Sequence, residues 1–310
     1  TTNKMKTMKQ LGFLACSLLT LAACSSGNSS DPLPSTGQEN QKLPININTS
    51  VDTRVIDNSF EKGDNIGLFV VNYKADGSAG TLKATGNHVD NMKYTYNGTW
   101  TPASPTYWKD NTTHADFYLY YPYTGSIGDV NAMSWNVNAD QSTSAKYKSA
   151  DLLIGKTTNV APTETAVKID AKHVMSQMVV SLKPGNGFTE ESLGKANISV
   201  KINRLKTQAT ANLVTGKLTA KGNDADLTPL KEEGNNYKAL IIPQAVGEGK
   251  LITVNVDGRD YQLKKAANFT AFEAGKKHKF TVTLSKTSNG VNVNIIKWED
   301  DGIDYGGTAE

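Results

Sequence analysis

The chain has 310 residues, of which 33 are Lys or Arg and 30 are Asp or Glu. Three of the basic residues, Lys4, Lys6 and Lys9, lie before residue 24, so the rest of the chain carries 30 charges of each sign. A net charge near zero gives no reason to expect nucleic acid or an anionic surface as a partner. Because both cysteines, Cys16 and Cys24, lie near the N-terminus, we expect a disulfide-free body stabilised by a packed core.

The first 23 residues have the pattern of an export signal. Lysines precede an apolar run from Leu11 to Ala23, which is shorter than the ~20 residues that a spanning helix needs. The run ends in Leu21-Ala22-Ala23-Cys24, which resembles the lipobox of bacterial lipoproteins. In that family the chain is cut before the cysteine, which then carries acyl chains such as palmitate. The resemblance implies a signal peptide over residues 1–23, a lipid on Cys24 and anchorage in the outer membrane.

A low-complexity segment follows the signal. Residues 24–42 are rich in Ser, Gly, Asn, Pro and Gln and offer almost no apolar surface to bury. This composition predicts a disordered tether, because burial cannot offset the entropy of ordering it. Beyond it, a looser segment with Pro162, from Lys156 to Thr165, divides the body into two expected domains, residues 43–165 and 166–310.

Short strands are predicted from the start of the body. Ile45 and Ile47 alternate with asparagines, which indicates a half-buried strand over Leu43 to Asn48. Ile66 to Val71 is apolar on both faces and is expected to be a central strand.

The aromatic residues between 94 and 123 allow two interpretations. Trp100, Tyr107, Trp108 and Tyr118 could form a platform on which sugars stack, which would make the protein a glycan-binding surface lipoprotein. Aromatic residues in alternating strand patterns more often form the core and cross-strand pairs of a sheet. We favour the core.

The second half continues in the same pattern. Ile198 to Asn203 alternates cleanly, Leu213 to Leu218 and Ile252 to Leu263 predict hairpins, and Phe280 to Leu284 predicts another strand. Only Glu190 to Leu193 suggests a turn of helix. Many short strands separated by turn residues predict an all-β protein, most simply two β-sandwiches in tandem. A final alternating run, Val291 to Trp298, is either a closing strand or a strand that pairs with another subunit.

No motif for catalysis or metal binding is present in the sequence. The four histidines are scattered, and there is no nucleophile elbow, phosphate loop or zinc motif. Adjacent acidic pairs such as Glu232-Glu233 point to opposite faces of a strand and do not converge. We therefore predict that the protein is not an enzyme and has no cofactor and no metal.

The stretch from Thr53 to Gly67 contains Arg54, a short spacer and Ser-Phe-Glu-Lys-Gly-Asp-Asn-Ile-Gly. It resembles the fimbrillin families of Bacteroidales, including the Mfa-like, FimA-like and minor-fimbria proteins. Shorter matches follow in order along nearly the whole chain: Tyr107-Trp108, Phe117 to Tyr123, Ala150-Asp151-Leu152-Leu153, His173 and Ile295-x-x-Trp298.

The resemblance implies two tandem transthyretin-like β-sandwich domains with Greek-key topology, and a structural subunit or adhesin of a surface pilus. In that family an arginine-specific surface protease removes the N-terminal strand of the lipoprotein precursor. The groove left open accepts a strand from a neighbouring subunit, so the expected partners are other pilus subunits, that protease and the outer membrane.

The sequence favours the bond between Arg54 and Val55 as the processing site. The chain has three arginines, and Arg54 alone lies in a polar connector, whereas Arg204 follows a core-like strand and Arg259 sits at a tight hairpin. If that bond is not cut, the protein would stay lipid-anchored as a pilus base or assembly regulator. The predicted donor strand is the closing run, residues 291–305, with Val291, Val293, Ile295 and Trp298 as its candidate residues.

Overall fold

In the computed structural model of the chain, two apolar strands lie side by side in the middle of a seven-stranded sheet. The structure describes residues 42–51 and 59–286, with the backbone alone at 294–295 and 307–309. The strand order of this sheet is β1-β8-β7-β5-β2-β3-β4. Its members are β1 (Ile47–Val51), β2 (Asn65–Asn72), β3 (Val89–Tyr96), β4 (Trp100–Pro102), β5 (Ala115–Tyr121), β7 (Leu153–Val160) and β8 (Val167–His173).

Both faces of the central strands are covered by apolar side chains. Ile66, Leu68 and Val70 of β2 belong to one buried cluster, whereas Phe69 and Val71 belong to another that continues into the second half of the chain. The predicted central strand at Ile66 to Val71 is confirmed. This sheet is therefore packed on two sides, as its continuous apolar run requires.

Gly67 is needed at its position because an aromatic ring lies over it. A Cβ at Gly67 would stand 2.1 Å from a ring carbon of Tyr120, closer than any side chain can tolerate. The Tyr120 hydroxyl lies 2.9 Å from the Thr124 carbonyl oxygen and 2.8 Å from Asn91 Oδ1, and it donates its single proton to one of these acceptors. Burial raises the pKa of Tyr120 to about 12. The Ile-Gly pair of the sequence motif thus keeps a tyrosine in the core.

Three further sheets form the second half of the fold. One has the order β11-β10-β15-β16 with β6 also on β10, one has β12-β13-β9-β18-β19 with β20 also on β18, and one pairs β14 with β17. The strands are β6 (Met133–Asn136), β9 (Ser176–Pro184), β10 (Ile198–Ala211), β11 (Leu218–Leu227), β12 (Leu230–Lys231), β13 (Asn236–Ile241), β14 (Gln244–Ala245), β15 (Lys250–Val256), β16 (Arg259–Lys264), β17 (Ala271–Phe272), β18 (Lys277–Leu284), β19 (Asn294–Ile295) and β20 (Gly307–Ala309).

The two helices of the described residues are short. The predicted turn of helix is confirmed as α2 (Glu190–Lys195), with a capping box between Thr189 and Ser192. The other helix, α1 (Ser144–Ser149), was not predicted; its N-cap is Thr143, whose hydroxyl accepts from the amide of Lys146. One turn with no buried residue carries too little periodicity to be recognised in a sequence.

The all-β class and both predicted hairpins are confirmed, since β10–β11 and β15–β16 pair antiparallel across their turns. Strand pairing crosses the predicted domain boundary at residue 165. Strand β8 joins the N-terminal sheet, and β6 pairs with β10 of the second half. The division into two domains stays a prediction.

Candidate functional site

The N-terminal strand segment, residues 42–51, lies between two partners. On one side β1 runs parallel to β8, with Ile47 opposite Val167 and Val51 opposite Ala171. The two strands are far apart in sequence, so no hairpin turn ties them together. This pairing depends only on contacts in the folded state.

The other side of the segment pairs with the chain around Tyr107. The amide of Ile45 donates to the Thr106 carbonyl at 2.9 Å, and the amide of Trp108 donates to the Leu43 carbonyl at 2.8 Å. This inserted segment therefore pairs with residues 106–108 through Leu43 and Ile45 and with β8 through Ile47–Val51, and its removal would leave both neighbours with unpaired backbone groups.

Apolar side chains anchor the segment in the core. Ile45 is 2% exposed and Ile47 is 6% exposed, whereas the residues that follow each of them, Asn46 and Asn48, face solvent. This is the predicted alternation, with the regular strand beginning at Ile47 and running to Val51 instead of ending at Asn48. Burying an isoleucine side chain stabilises a fold by about 1.5–3 kcal/mol. The two isoleucines thus make docking of the segment strongly favourable.

Two side-chain hydrogen bonds supplement the docking. The indole Nε1 of Trp100, in β4, donates to Thr49 Oγ1 at 2.8 Å. Ser50 Oγ donates to the carboxylate of Asp170 in β8. Each bond joins the segment to a different strand of the same sheet.

We expect the bond between Trp100 and Thr49 to contribute about 0.5–1.5 kcal/mol, the usual net value for a hydrogen bond. A double-mutant cycle with Trp100→Phe and Thr49→Val, followed by urea unfolding, isolates it from the packing lost at each site. Additive effects of the two substitutions would show that the bond contributes nothing.

The bond from Ser50 makes docking sensitive to acid. The Ser50 hydroxyl and, second, Lys168 hold the pKa of Asp170 below its ordinary value. The folded state then binds fewer protons than the unfolded state, so the stabilisation is present above a pH of about 3.9 and is lost as the pH falls through the folded pKa. We expect Ser50→Ala to raise the pKa of Asp170 in an NMR titration while stability at neutral pH falls by no more than about 0.5 kcal/mol. An unchanged titration would contradict this assignment.

The chain beyond residues 52–58 is anchored independently of the segment. Phe60 packs edge-on against Trp100, with ring centroids 4.9 Å apart, and against Tyr121 at 5.6 Å. Lys148 Nζ bridges Glu61 Oε2 at 2.9 Å and Asp64 Oδ1 at 3.0 Å. A cut within residues 52–58 would break the covalent link between the segment and the body, while the chain after the cut stays anchored.

These anchors line a cleft of about 270 Å³ that also contains Val51 and Ser59. Burial and the nearby Asp64 carboxylate raise the pKa of Tyr121, whose hydroxyl donates to Asp64 at 3.2 Å. Burial disfavours the charge of Lys148, but its bonds to Glu61 and Asp64 outweigh this and raise its pKa. In this cleft the opposite charges of Lys148, Glu61 and Asp64 hold the chain that follows residue 58 in place.

Asp151 and His173 meet at the same cleft, with His173 Nδ1 2.8 Å from Asp151 Oδ1. Both residues belong to the motifs that carried the family resemblance. His173 is 8% exposed and is held by a neighbouring carboxylate, as expected of a packing residue. Within the described residues, no group of three or more His, Cys, Asp or Glu side chains is arranged to hold a metal ion.

The predicted aromatic platform is buried. Trp100, Trp108 and Tyr118 are each 8% exposed or less, and only Tyr107 has a substantial exposed fraction, 39%. Buried rings cannot stack on a sugar, so the core interpretation is confirmed for three of the four residues. The fourth, Tyr107, stays on the surface beside the inserted segment.

The predicted processing and attachment residues lie outside the described residues: Cys24, Arg54, Val55, Val291, Val293 and Trp298. The backbone of Ile295 pairs antiparallel with His278 of β18. Arg204 and Arg259 are exposed, but both lie in hydrogen-bonded strands, β10 and β16. Within the part of the chain that the structure describes, no helix is long and apolar enough to cross a membrane.

Comparison with known proteins agrees with this architecture. The family model described as fimbrillin-like matches residues 53–298, which is most of the chain. The chain belongs to the fimbrillin-like family. The match begins just before Arg54, so the inserted segment precedes the region that defines the family.

Individual relatives extend the likeness over nearly the full length. A Bacteroides uniformis protein provisionally named fimbrium subunit Fim1C is 28% identical over 299 residues, covering 92% of this chain and 94% of its own. The crystal structure of a provisionally named cell adhesion protein from the same species matches with a TM-score of 0.63 and 25% identity, covering 80% of this chain and 94% of that one. A counterpart from Bacteroides ovatus, at 20% identity and a TM-score of 0.63, covers 78% and 92% and shows the same fold.

The anchoring contacts of this fimbrillin-like chain were not predictable individually. The bond from Trp100 to Thr49 joins residues 51 positions apart, and Lys148 reaches Glu61 across 87 positions. No local pattern signals such pairs. Asp151 and His173 were marked by the family motifs, but only the fold shows that they touch.

Proposed function

We propose that the protein is a structural subunit or adhesin of a cell-surface pilus, assembled by strand exchange after its N-terminal strand is removed. The observation that carries this proposal is the inserted segment itself. Leu43 and Ile45 bond to residues 106–108, and Ile47–Val51 pairs with β8. The segment is buried through Ile45 and Ile47, and its covalent link to the rest of the body is the connector that contains Arg54. The names of the relatives, a fimbrium subunit and a cell adhesion protein, support the same assignment.

Export precedes assembly in this proposal. The signal peptide over residues 1–23 directs the chain out of the cytoplasm, and acyl chains on Cys24 anchor it in the outer membrane. An arginine-specific surface protease then cuts between Arg54 and Val55. The cut separates the subunit from its lipid anchor as well as from its N-terminal strand.

Physical chemistry requires the vacated groove to be refilled. Loss of the segment exposes the edge of β8 and the apolar cluster beneath Ile45 and Ile47, and an isolated subunit is destabilised by both. A strand from another subunit restores the backbone hydrogen bonds and the apolar contacts together. The donor in this proposal is the closing run, through Val291, Val293, Ile295 and Trp298.

A disulfide lock tests whether the segment must leave. Asn48 and Lys168 face each other across the β1–β8 ladder and both point to solvent. Neighbouring strands are about 4.8 Å apart, which suits a disulfide. In the leader-free chain Asn48→Cys/Lys168→Cys, we expect protease treatment to give filaments only after reduction, as seen by electron microscopy and unheated gels.

The matched control moves one cysteine away from the groove. Asn48→Cys paired with Lys217→Cys, whose Lys217 is also exposed but lies beyond β10, should assemble whether oxidised or reduced. Equal assembly by the oxidised, locked protein would show that the segment stays in place and would refute strand exchange. An intact Arg54 bond in cells would instead favour a permanently anchored base subunit.

A further inference from the structure

A shallow groove on the outer face of the second-half sheet carries three basic residues. Arg204 of β10, Lys250 of β15 and Lys264 of β16 line it, and all three are exposed. Thr253 and Asn203 supply its polar floor, where Asn203 Nδ2 donates to Thr253 Oγ1 at 2.8 Å. None of these residues belongs to the inserted segment or its groove.

Arg204 has an unusual backbone conformation. Its φ is +60°, in the left-handed region that residues with a Cβ rarely adopt. It sits where the register between β10 and β11 shifts, between Ile202 and Leu205, and its amide donates to Asp226 Oδ1 at 3.2 Å. A bulge of this kind re-aims a side chain, and strained backbone concentrates at functional positions.

The neighbouring loop is shaped to receive the guanidinium. Gly249 has φ +119°, and a Cβ there would lie 2.7 Å from Arg204 Nη1. A Cβ at Gly247 would lie 3.4 Å from Nη2. Two glycines at alternate positions thus let the guanidinium lie against the loop backbone. The strained backbone and this cradle together fix where the charge is presented.

Two lysines stand opposite each other beside the guanidinium. Lys250 and Lys264 are paired across β15 and β16, next to a second register shift between Lys250 and Ile252. Like charges directly opposite in a sheet are destabilising. Within the described residues, none of the three basic side chains forms an ion pair, whereas the adjacent Lys265 is paired with Glu248 at 2.8 Å. Asp226 is the one carboxylate that lines the groove, so a clear positive excess remains.

We infer that this groove binds the anionic groups of an acidic polysaccharide, either carboxylates or sulfates. A guanidinium binds both groups in a bidentate manner, and the paired lysines add charge without a fixed geometry. The groove is open and polar, which suits a repeating chain better than an enclosed small molecule. Because the chain after residue 23 carries equal numbers of opposite charges, the excess here is local and not a consequence of net charge.

The expected affinity of one groove is low and depends on salt, because its charges are exposed. Repetition along a polymer would raise the apparent affinity without new contacts. This gain rests on the proposed pilus function, but binding by a single chain does not. A measurement on the monomer therefore separates the two proposals.

The test measures binding of the purified full-length, uncut protein to immobilised dextran sulfate and polygalacturonate, with dextran as the uncharged control. We expect binding to both acidic polymers at low salt, weakening at about 0.15 M salt where the screening length is near 8 Å. Arg204→Asn with Lys250→Gln and Lys264→Gln should bind at least about tenfold more weakly. Asparagine is chosen because it tolerates the left-handed conformation at position 204.

The matched control removes the same number of positive charges from exposed positions outside the groove. Lys83→Gln, Lys217→Gln and Lys231→Gln, all exposed and outside the groove, should leave binding within about twofold, a change under ~0.5 kcal/mol. Equal losses in both triple variants would mean nonspecific adsorption and would overturn the site. Failure of both acidic polymers to bind at low salt would overturn it as well. Binding of one polymer alone would identify the anionic group. If the groove variant kept its polysaccharide binding but formed filaments more slowly, the groove would be a contact between subunits and the inference would be overturned.

Discussion

An Arg54→Ala variant should resist an arginine-specific protease that cuts the parent chain once. Arg204 and Arg259 lie in hydrogen-bonded strands, and a protease needs an extended, unpaired stretch of chain. Opening a strand costs several kcal/mol, so cleavage at those sites should be at least about a hundredfold slower. Intact mass after brief digestion locates the cut, and electron microscopy reports assembly. The variant should remain a monomer under conditions that convert the parent to filaments.

Arg54→Lys is the control that separates cleavage from any other role of the arginine. It keeps the positive charge and should resist the arginine-specific enzyme. The variant should therefore remain uncut and monomeric, as Arg54→Ala does. Filaments formed by uncut Arg54→Ala would show that processing is not required. A parent chain cut first at Arg204 or Arg259 would place the processing site elsewhere.

The alternating strands were predictable because the order of apolar and polar residues within each strand indicates which side chains are buried. Ile45 and Ile47 against Asn46 and Asn48, or the apolar run from Ile66 to Val71, indicate which side chains face the core without any knowledge of the neighbours. The pairing order was not predictable in this way. No local sequence pattern indicates that β1 lies parallel to β8, because that contact joins positions 120 apart in the chain, such as Ser50 and Asp170.

For the aromatic residues, too, the sequence predicted a sheet but not which of the rings are buried. Their alternation indicated a sheet, but which rings are buried depends on how the sheet closes around the inserted segment. Trp108 is buried because residues 106–108 pair with the segment, and Tyr107 between its neighbours points outward. The groove at Arg204 left no trace that sequence reasoning recognised, because it arises where two bulges meet. The sequence thus predicted the N-terminal strand, whereas only the fold shows which residues pair with it.

Replacing Ile45 and Ile47 by alanine should loosen the N-terminal segment far more than any change on its exposed face. Truncating a buried isoleucine to alanine costs about 2–5 kcal/mol, and the double variant loses both anchors of the segment. Hydrogen exchange should therefore accelerate in residues 42–51 and in β8, while β9 and β13 keep their protection. The same variant should assemble faster once cut, because the remaining barrier to strand exchange is release of the old strand.

Asn46→Ala with Asn48→Ala is the matched control, since it changes the same strand at its solvent-facing positions. We expect its exchange rates to equal those of the parent and its stability to change by no more than about 0.5 kcal/mol. If the isoleucine variant instead lost protection evenly through β9, β13 and β18, the segment would be part of one cooperative core and not a separable element. Its selective loss would show that the fold keeps this strand as a removable part, which subunit exchange requires.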